Sequence, residues 1–89
     1  MNEKRIGVVG IVIEPDGNVN TINEILHIHS PIIVGRMGIP NINEREVSVI
    51  SVVVDGTTDE VGSLTGRLGA IKGVNVKSAL SKKSYSVAP

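Results

Sequence analysis

Few residues in this chain have the types needed for chemistry, and their spacing limits what they could do. His27 and His29 are its two histidines, and residues two apart on a helix point about 200° away from each other. They do not share one ion while that stretch is helical. The chain has no cysteine, and no neighbouring carboxylate completes a ligand set, so no metal site is expected. Asp55, Asp59 and Glu60 lie close in sequence, but Thr57-Thr58-Asp59-Glu60 has the spacing of a helix capping box, which accounts for them. No nucleophile with its base and no carboxylate pair is identifiable, so no catalytic residue and no cofactor is assigned.

Two places could hold a ligand. The first is the turn Pro15-Asp16-Gly17-Asn18, ahead of an expected helix whose free N–H groups attract a carboxylate or other anion, with Asp16 or Asn18 placed to take an amine or hydroxyl. An ordinary capped turn is the competing reading. The turn is acidic, Glu14-Pro15-Asp16-Gly17, and so lacks the arginine of a phosphate-cradling loop. The second place is Arg36, set between two glycines in the apolar stretch Ile-Ile-Val-Gly-Arg-Met-Gly-Ile-Pro at 32–40. A guanidinium on an edge strand can pair with a carboxylate across a subunit interface or with a bound anion. Asp16, Gly17, Asn18 and Arg36 are therefore the ligand-binding candidates, and Arg36 is also an interface candidate.

The elements that must position these groups follow from periodicity. Residues 5–14 are apolar on both alternating sets, Ile6, Val8 and Val12 against Val9, Ile11 and Ile13, as in a strand covered on both faces. Asn18 is placed to cap a helix in which Val19, Ile22, Ile25, Leu26 and His29 share one face, and Pro31 ends it. His27 is then solvated and His29 partly buried. Residues 32–40 read as a second strand, with Ile32, Val34 and Arg36 on one face and Ile33, Met37 and Ile39 on the other. Residues 47–54 form a third strand, again apolar on both sets. Val61, Leu64, Leu68 and Ile71 make the core face of a second helix reaching Lys72, with Gly73 as its terminator. Residues 74–80 form a fourth strand with one polar face, and a polar Ser- and Lys-rich tail, 81–89, is loosely held.

Strand, helix, strand, strand, helix, strand is the ferredoxin-like βαββαβ order, an α+β fold with a four-stranded antiparallel sheet and two helices on one face. The first and third strands belong in its centre, which suits their two-faced hydrophobicity. Helices on one face leave the other bare, and burying each Val or Ile is worth about 1.5–3 kcal/mol. A homo-oligomer, a dimer or higher, is therefore expected to cover that face or extend the sheet. Gly62, Gly66 and Gly69, with Gly73, line a stripe of the second helix away from its core face. Each interior glycine costs about 1 kcal/mol relative to alanine, so Gly62, Gly66 and Gly69 are interface candidates where a partner's backbone comes close.

Composition removes other classes of function. Eighty-nine residues make one domain, here 1–80 followed by the tail. Nine basic against nine acidic side chains give zero net charge, and Tyr85 is the one aromatic residue. Neither a polyanion-binding surface nor a base-stacking platform can be built from that, so no direct nucleic-acid partner is expected. Fourteen Val and twelve Ile against four Leu favour strands. Lys4 and Arg5 precede an apolar run, but Glu14, Pro15 and Asp16 follow with no small-residue cleavage site. No apolar run approaches the roughly 20 residues that span a membrane. The reading is a cytoplasmic protein without a membrane partner.

The segments Arg5-Ile6-Gly7-Val8-Val9-Gly10-Ile11-Val12-Ile13, Ile33-Val34-Gly35-Arg36-Met37-Gly38-Ile39-Pro40 and Leu64-Thr65-Gly66-Arg67-Leu68-Gly69, with Asn23-Glu24-Ile25-Leu26-His27 and Ile50-Ser51-Val52-Val53-Val54-Asp55, resemble the iron-only hydrogenase system regulator family, whose fold is ACT-like. The resemblance implies a regulatory or accessory role near hydrogenase expression or maturation, in an oligomer, and the missing reactive set makes a non-enzymatic module the expectation. It also implies a small-molecule effector at a subunit interface near the turn after the first strand. Pro15 and Gly17 are separated by Asp16, where the usual ACT pattern has them adjacent. The alternative is a protein–protein interaction module that takes no small ligand and docks a protein partner instead.

Overall fold

The longest apolar run forms β1 (Glu3–Ile13) in the middle of an antiparallel sheet. β3 (Ser48–Gly56) pairs along one side of it, from Arg5 opposite Gly56 to Ile13 opposite Ser48. β4 (Val74–Leu80) pairs along the other, from Gly7 opposite Leu80 to Ile13 opposite Val74. β2 (Ile33–Ile39) forms the edge beyond β3, giving the strand order β2-β3-β1-β4. With α1 (Val19–Ile28) and α2 (Thr58–Gly69) the element order is ferredoxin-like, and the two strands apolar on both faces are the central ones. These features come from a computed structural model that describes residues 3–86.

One face of the sheet meets both helices. Val9, Ile11, Ile13, Val52, Val54 and Val74 pack there with Ile22 and Leu26 of α1 and Val61, Leu64 and Leu68 of α2. The alternate positions point the other way and stay open to solvent: Ile6, Val8, Val53, Met37 and Ile39 are between 39% and 62% exposed. This division is the period-2 geometry of a strand, applied to runs with apolar residues on both alternating sets.

Local signals set the helix starts. Asn18 Oδ1 accepts from the Thr21 N–H at 3.1 Å. Thr57 and Glu60 form the full capping box, with Glu60 N–H donating to Thr57 Oγ1 at 3.1 Å and Thr57 N–H donating to Glu60 Oε1 at 2.8 Å. Thr57→Ala should lower stability by about 1 kcal/mol, measured by urea denaturation. The Thr57 backbone bond also holds the Glu60 carboxyl below its usual range. The folded state then binds fewer protons than the unfolded one, so this contribution is complete above the ordinary glutamate range and is lost as pH falls from there through the lowered folded-state value. Glu60→Gln should flatten that part of the acid loss.

Three details depart from the periodicity. α2 ends at Gly69, with Ala70 capping back to the Gly66 and Leu68 carbonyls, and the chain turns into β4 through Gly73 at φ 75° instead of running helical to Lys72. In β2, Ile33 lies opposite Val54 but Gly35 lies opposite Val53, so Val34 is an extra, bulged residue. The bulge puts Ile33 on the helix side with Arg36, while Met37 and Ile39 face the open side, in place of the expected Ile33, Met37, Ile39 set.

The sheet also has a fifth strand where four were expected. β5 (Tyr85–Ser86) pairs with Lys4 and Glu3 of β1, resuming the line of β4 with a two-residue offset in register. β1, eleven residues long, outruns the seven of β4 and leaves backbone groups that the tail takes up. Arg5 Nη1 donates to the Ser81 and Lys82 carbonyls at 2.9 and 2.7 Å, and Ser81 N–H donates to the Ile6 carbonyl at 2.8 Å. The part of the tail at 81–86 is thus tied to the sheet, and 87–89 lie outside the described residues.

Candidate functional site

The turn after β1 is built as a clasp onto the α2–β4 turn. Glu14 N–H donates to the Gly73 carbonyl at 2.8 Å, and Gly17 N–H closes the turn on the Glu14 carbonyl at 2.9 Å. The Asp16 carboxylate lies against Gly73 Cα and 4.0 Å from Lys72 Nζ. That exposed pair contributes little by itself, but Asp16 fills the space a side chain at 73 would need. Asn18 spends its side-chain oxygen on Thr21. Asp16 and Asn18 thus each contact a neighbouring turn or helix start of the same chain.

Arg36 lies elsewhere. Its partner across the sheet is the buried Val52, which fixes it on the helix side of the edge strand. Arg36 Nη1 donates to Asn23 Oδ1 of α1 at 3.2 Å. Between α1 and β2 opens a cleft of about 250 Å³ lined by Asn23, Leu26, His27, Ser30, Ile33 and Arg36. None of Asp16, Gly17 and Asn18 lines it, so the four ligand-binding candidates do not form one site. Asn23, His27 and Ser30 are additions. They recur with Leu26 at helical spacings of three and four, a signal present in the sequence, but only the packing of α1 beside β2 shows what that stripe faces.

The two histidines part company as the helical angle requires. His27 lines the Arg36 cleft, while His29 lines a second depression of about 200 Å³ with Ile28, Pro31, Ile32, Glu60 and Ser63. His29 Nε2 is buried without a hydrogen-bond partner, and burial followed by the nearby Arg67 charge pushes its pKa below the ordinary imidazole value. Among the described residues no three His, Cys, Asp or Glu side chains gather as a metal-binding group.

The glycine stripe carries no internal contact. Gly62, Gly66 and Gly69 are exposed, and a Cβ built on any of them meets nothing within 4 Å. Gly66→Ala should therefore raise the stability of the isolated chain by up to about 1 kcal/mol. Denaturation read beside native mass checks this. A stability gain with loss of a partner subunit would locate a close approach at that stripe.

Comparison with known proteins agrees with this architecture. A TM1266-like family model, described as "Iron-only hydrogenase system regulator, putative", matches residues 5–78. The chain belongs to this family. The solved structure of the uncharacterized protein TM1266 from Thermotoga maritima is similar at 37% sequence identity and a TM-score of 0.83, covering 90% of this chain and 100% of that one. No curated protein matches. The TM1266-like match takes in the β1–α1 turn, the Arg36 cleft and the glycine stripe, and ends before β5. Among the described residues, no helix is long and apolar enough to cross a membrane.

Proposed function

We propose that this TM1266-like chain is a non-enzymatic regulatory module of an iron-only hydrogenase system that works as a homo-oligomer and responds to a small effector. The observation that carries this reading is the bare apolar face of the sheet, on which Ile6 and Val8 are each 45% exposed, Val53 39%, Met37 62% and Ile39 47%. A contiguous face of this kind in water is a binding surface or an aggregation hazard.

The occupant is a second copy of the same chain. The face carries Ile6, Val8, Val53, Met37 and Ile39 beside Ser51, Asp55 and Lys77, with Tyr85 opposite Lys4 at its end, and the chain carries zero net charge, so two copies meet without long-range repulsion. A two-fold arrangement places the same patch on both sides. Zero charge and a single aromatic residue also favour action through protein or small molecule over direct reading of nucleic acid.

Native mass spectrometry of the gently purified chain should give a dimer or larger species, and a bare monomer over the working concentration range would overturn the assembly reading. Removing the chain from a cell that carries an iron-only hydrogenase should change the amount or activity of that enzyme. An unchanged hydrogenase would count against the regulatory role.

A further inference from the structure

We propose that the cleft between α1 and β2 binds a small oxyanion, a carboxylate- or phosphate-bearing molecule, with Arg36 as its recognition group. The inference deepens the regulatory reading by naming the effector's chemistry, and it rests on that reading only for the consequence of binding.

Most donors of the Arg36 guanidinium face solvent. A guanidinium presents five N–H donors in a planar fork, and Arg36 makes one hydrogen bond, at 3.2 Å to Asn23. Among the described residues it forms no ion pair; Asp16 with Lys72 is the pair present. No carboxylate lines the cleft. An exposed arginine on an edge strand, steadied through one nitrogen and with no carboxylate beside it, can exchange its water for a ligand that accepts two parallel bonds.

The surroundings narrow the ligand further. Ser30 and His27 supply additional donors from the α1 side, Asn23 orients the guanidinium, and Leu26 and Ile33 form an apolar floor. A volume of about 250 Å³ suits a short carboxylic acid or a phosphate group with a few carbons, and is small for a nucleotide. The last turn of α1 borders the cleft, and its carbonyl ends disfavour an anion. Arg36 must outweigh that effect, so its removal should abolish binding and not merely trim it.

The test is titration of the full chain with succinate and, separately, with inorganic phosphate, followed by ¹⁵N NMR, with sodium chloride at matched ionic strength as control. Saturable shifts clustered at residues 23–36 are expected for at least one of the two, and the tighter probe identifies the headgroup. Arg36→Gln should abolish saturation, and Arg36→Lys, which keeps charge but loses the fork, should weaken it about tenfold or more. His27→Gln provides a second reading, expected to weaken binding several-fold without touching the sheet. Equal shifts with chloride, no saturation by either probe, or unchanged affinity in Arg36→Gln would overturn the site. So would dissociation of an oligomer by Arg36→Gln with neither anion bound, which makes Arg36 an intersubunit pairing group. Native mass on the same samples separates the two readings: an anion-binding monomer removes the assembly but keeps the cleft, and an oligomer that binds nothing does the reverse.

Discussion

Val53→Lys should yield a folded monomer. Val53 lies in the central strand β3, opposite Val8 on one side and Gly35 on the other, and it points away from the helices. Its neighbours in sequence, Val52 and Val54, are fully buried on the helix side, so the substitution leaves the core intact. In a face-to-face dimer related by a two-fold axis, one substitution introduces two lysines into an apolar interface. Each must leave water with only Asp55, two residues along the same face, within reach, and several kcal/mol is the usual order of that penalty. A combined effect of about 4 kcal/mol weakens association roughly a thousandfold. Sedimentation velocity across a concentration series should show the shift while far-ultraviolet circular dichroism stays unchanged. An oligomer that survives Val53→Lys would move the contact to another surface, with the α2 glycine stripe next to be tested.

Gly73→Ala is the second large effect, expected to destabilise the chain by about 2–4 kcal/mol. Gly73 has φ 75°, a left-handed conformation that costs an L-residue roughly 1–2 kcal/mol. A Cβ there would also collide with the Asp16 carboxylate and sit 2.8 Å from the Gly17 backbone nitrogen. The turn would have to lift, straining the Glu14 to Gly73 hydrogen bond. At roughly 0.05–0.15 kcal/mol per residue for a whole domain, that is a large share of the total, and a melting point lower by about 10 °C or more is expected. Asp16→Gly should recover part of the loss in the double variant, because it removes the carboxylate but leaves the backbone conformation unfavourable. Anion binding at Arg36 should be unaffected, since the clasp residues do not line that cleft.

The clasp recasts the turn after β1. Asp16, Gly17 and Asn18 have the residue types of a ligand-binding turn, and the structure uses them to join two loops and cap a helix. Arg36 was legible as an anomaly from its type alone, a charge in an apolar strand. Its partners were not, because Asn23 lies 13 residues away in sequence and nothing local indicates which helix face a given strand will meet.

By itself, the sequence determined the element order, the helix caps, the central positions of the two strands apolar on both faces, and the family. The first three rest on local causes, hydrogen-bonding side chains at helix starts and periodicity that reports burial, and the family rests on the resemblance of its segments. Tertiary structure decided the bulge at Val34, the face of Arg36, the cleft it shares with His27 and Ser30, and the return of the tail as β5. Each of these depends on pairing between distant segments, as when Arg5 holds the carbonyl of Ser81 across 76 residues. In a sheet, one extra residue reverses every side chain beyond it. The same β2 sequence could therefore have turned its arginine either to the helices or to the open face, and its pairing with β3 made the choice.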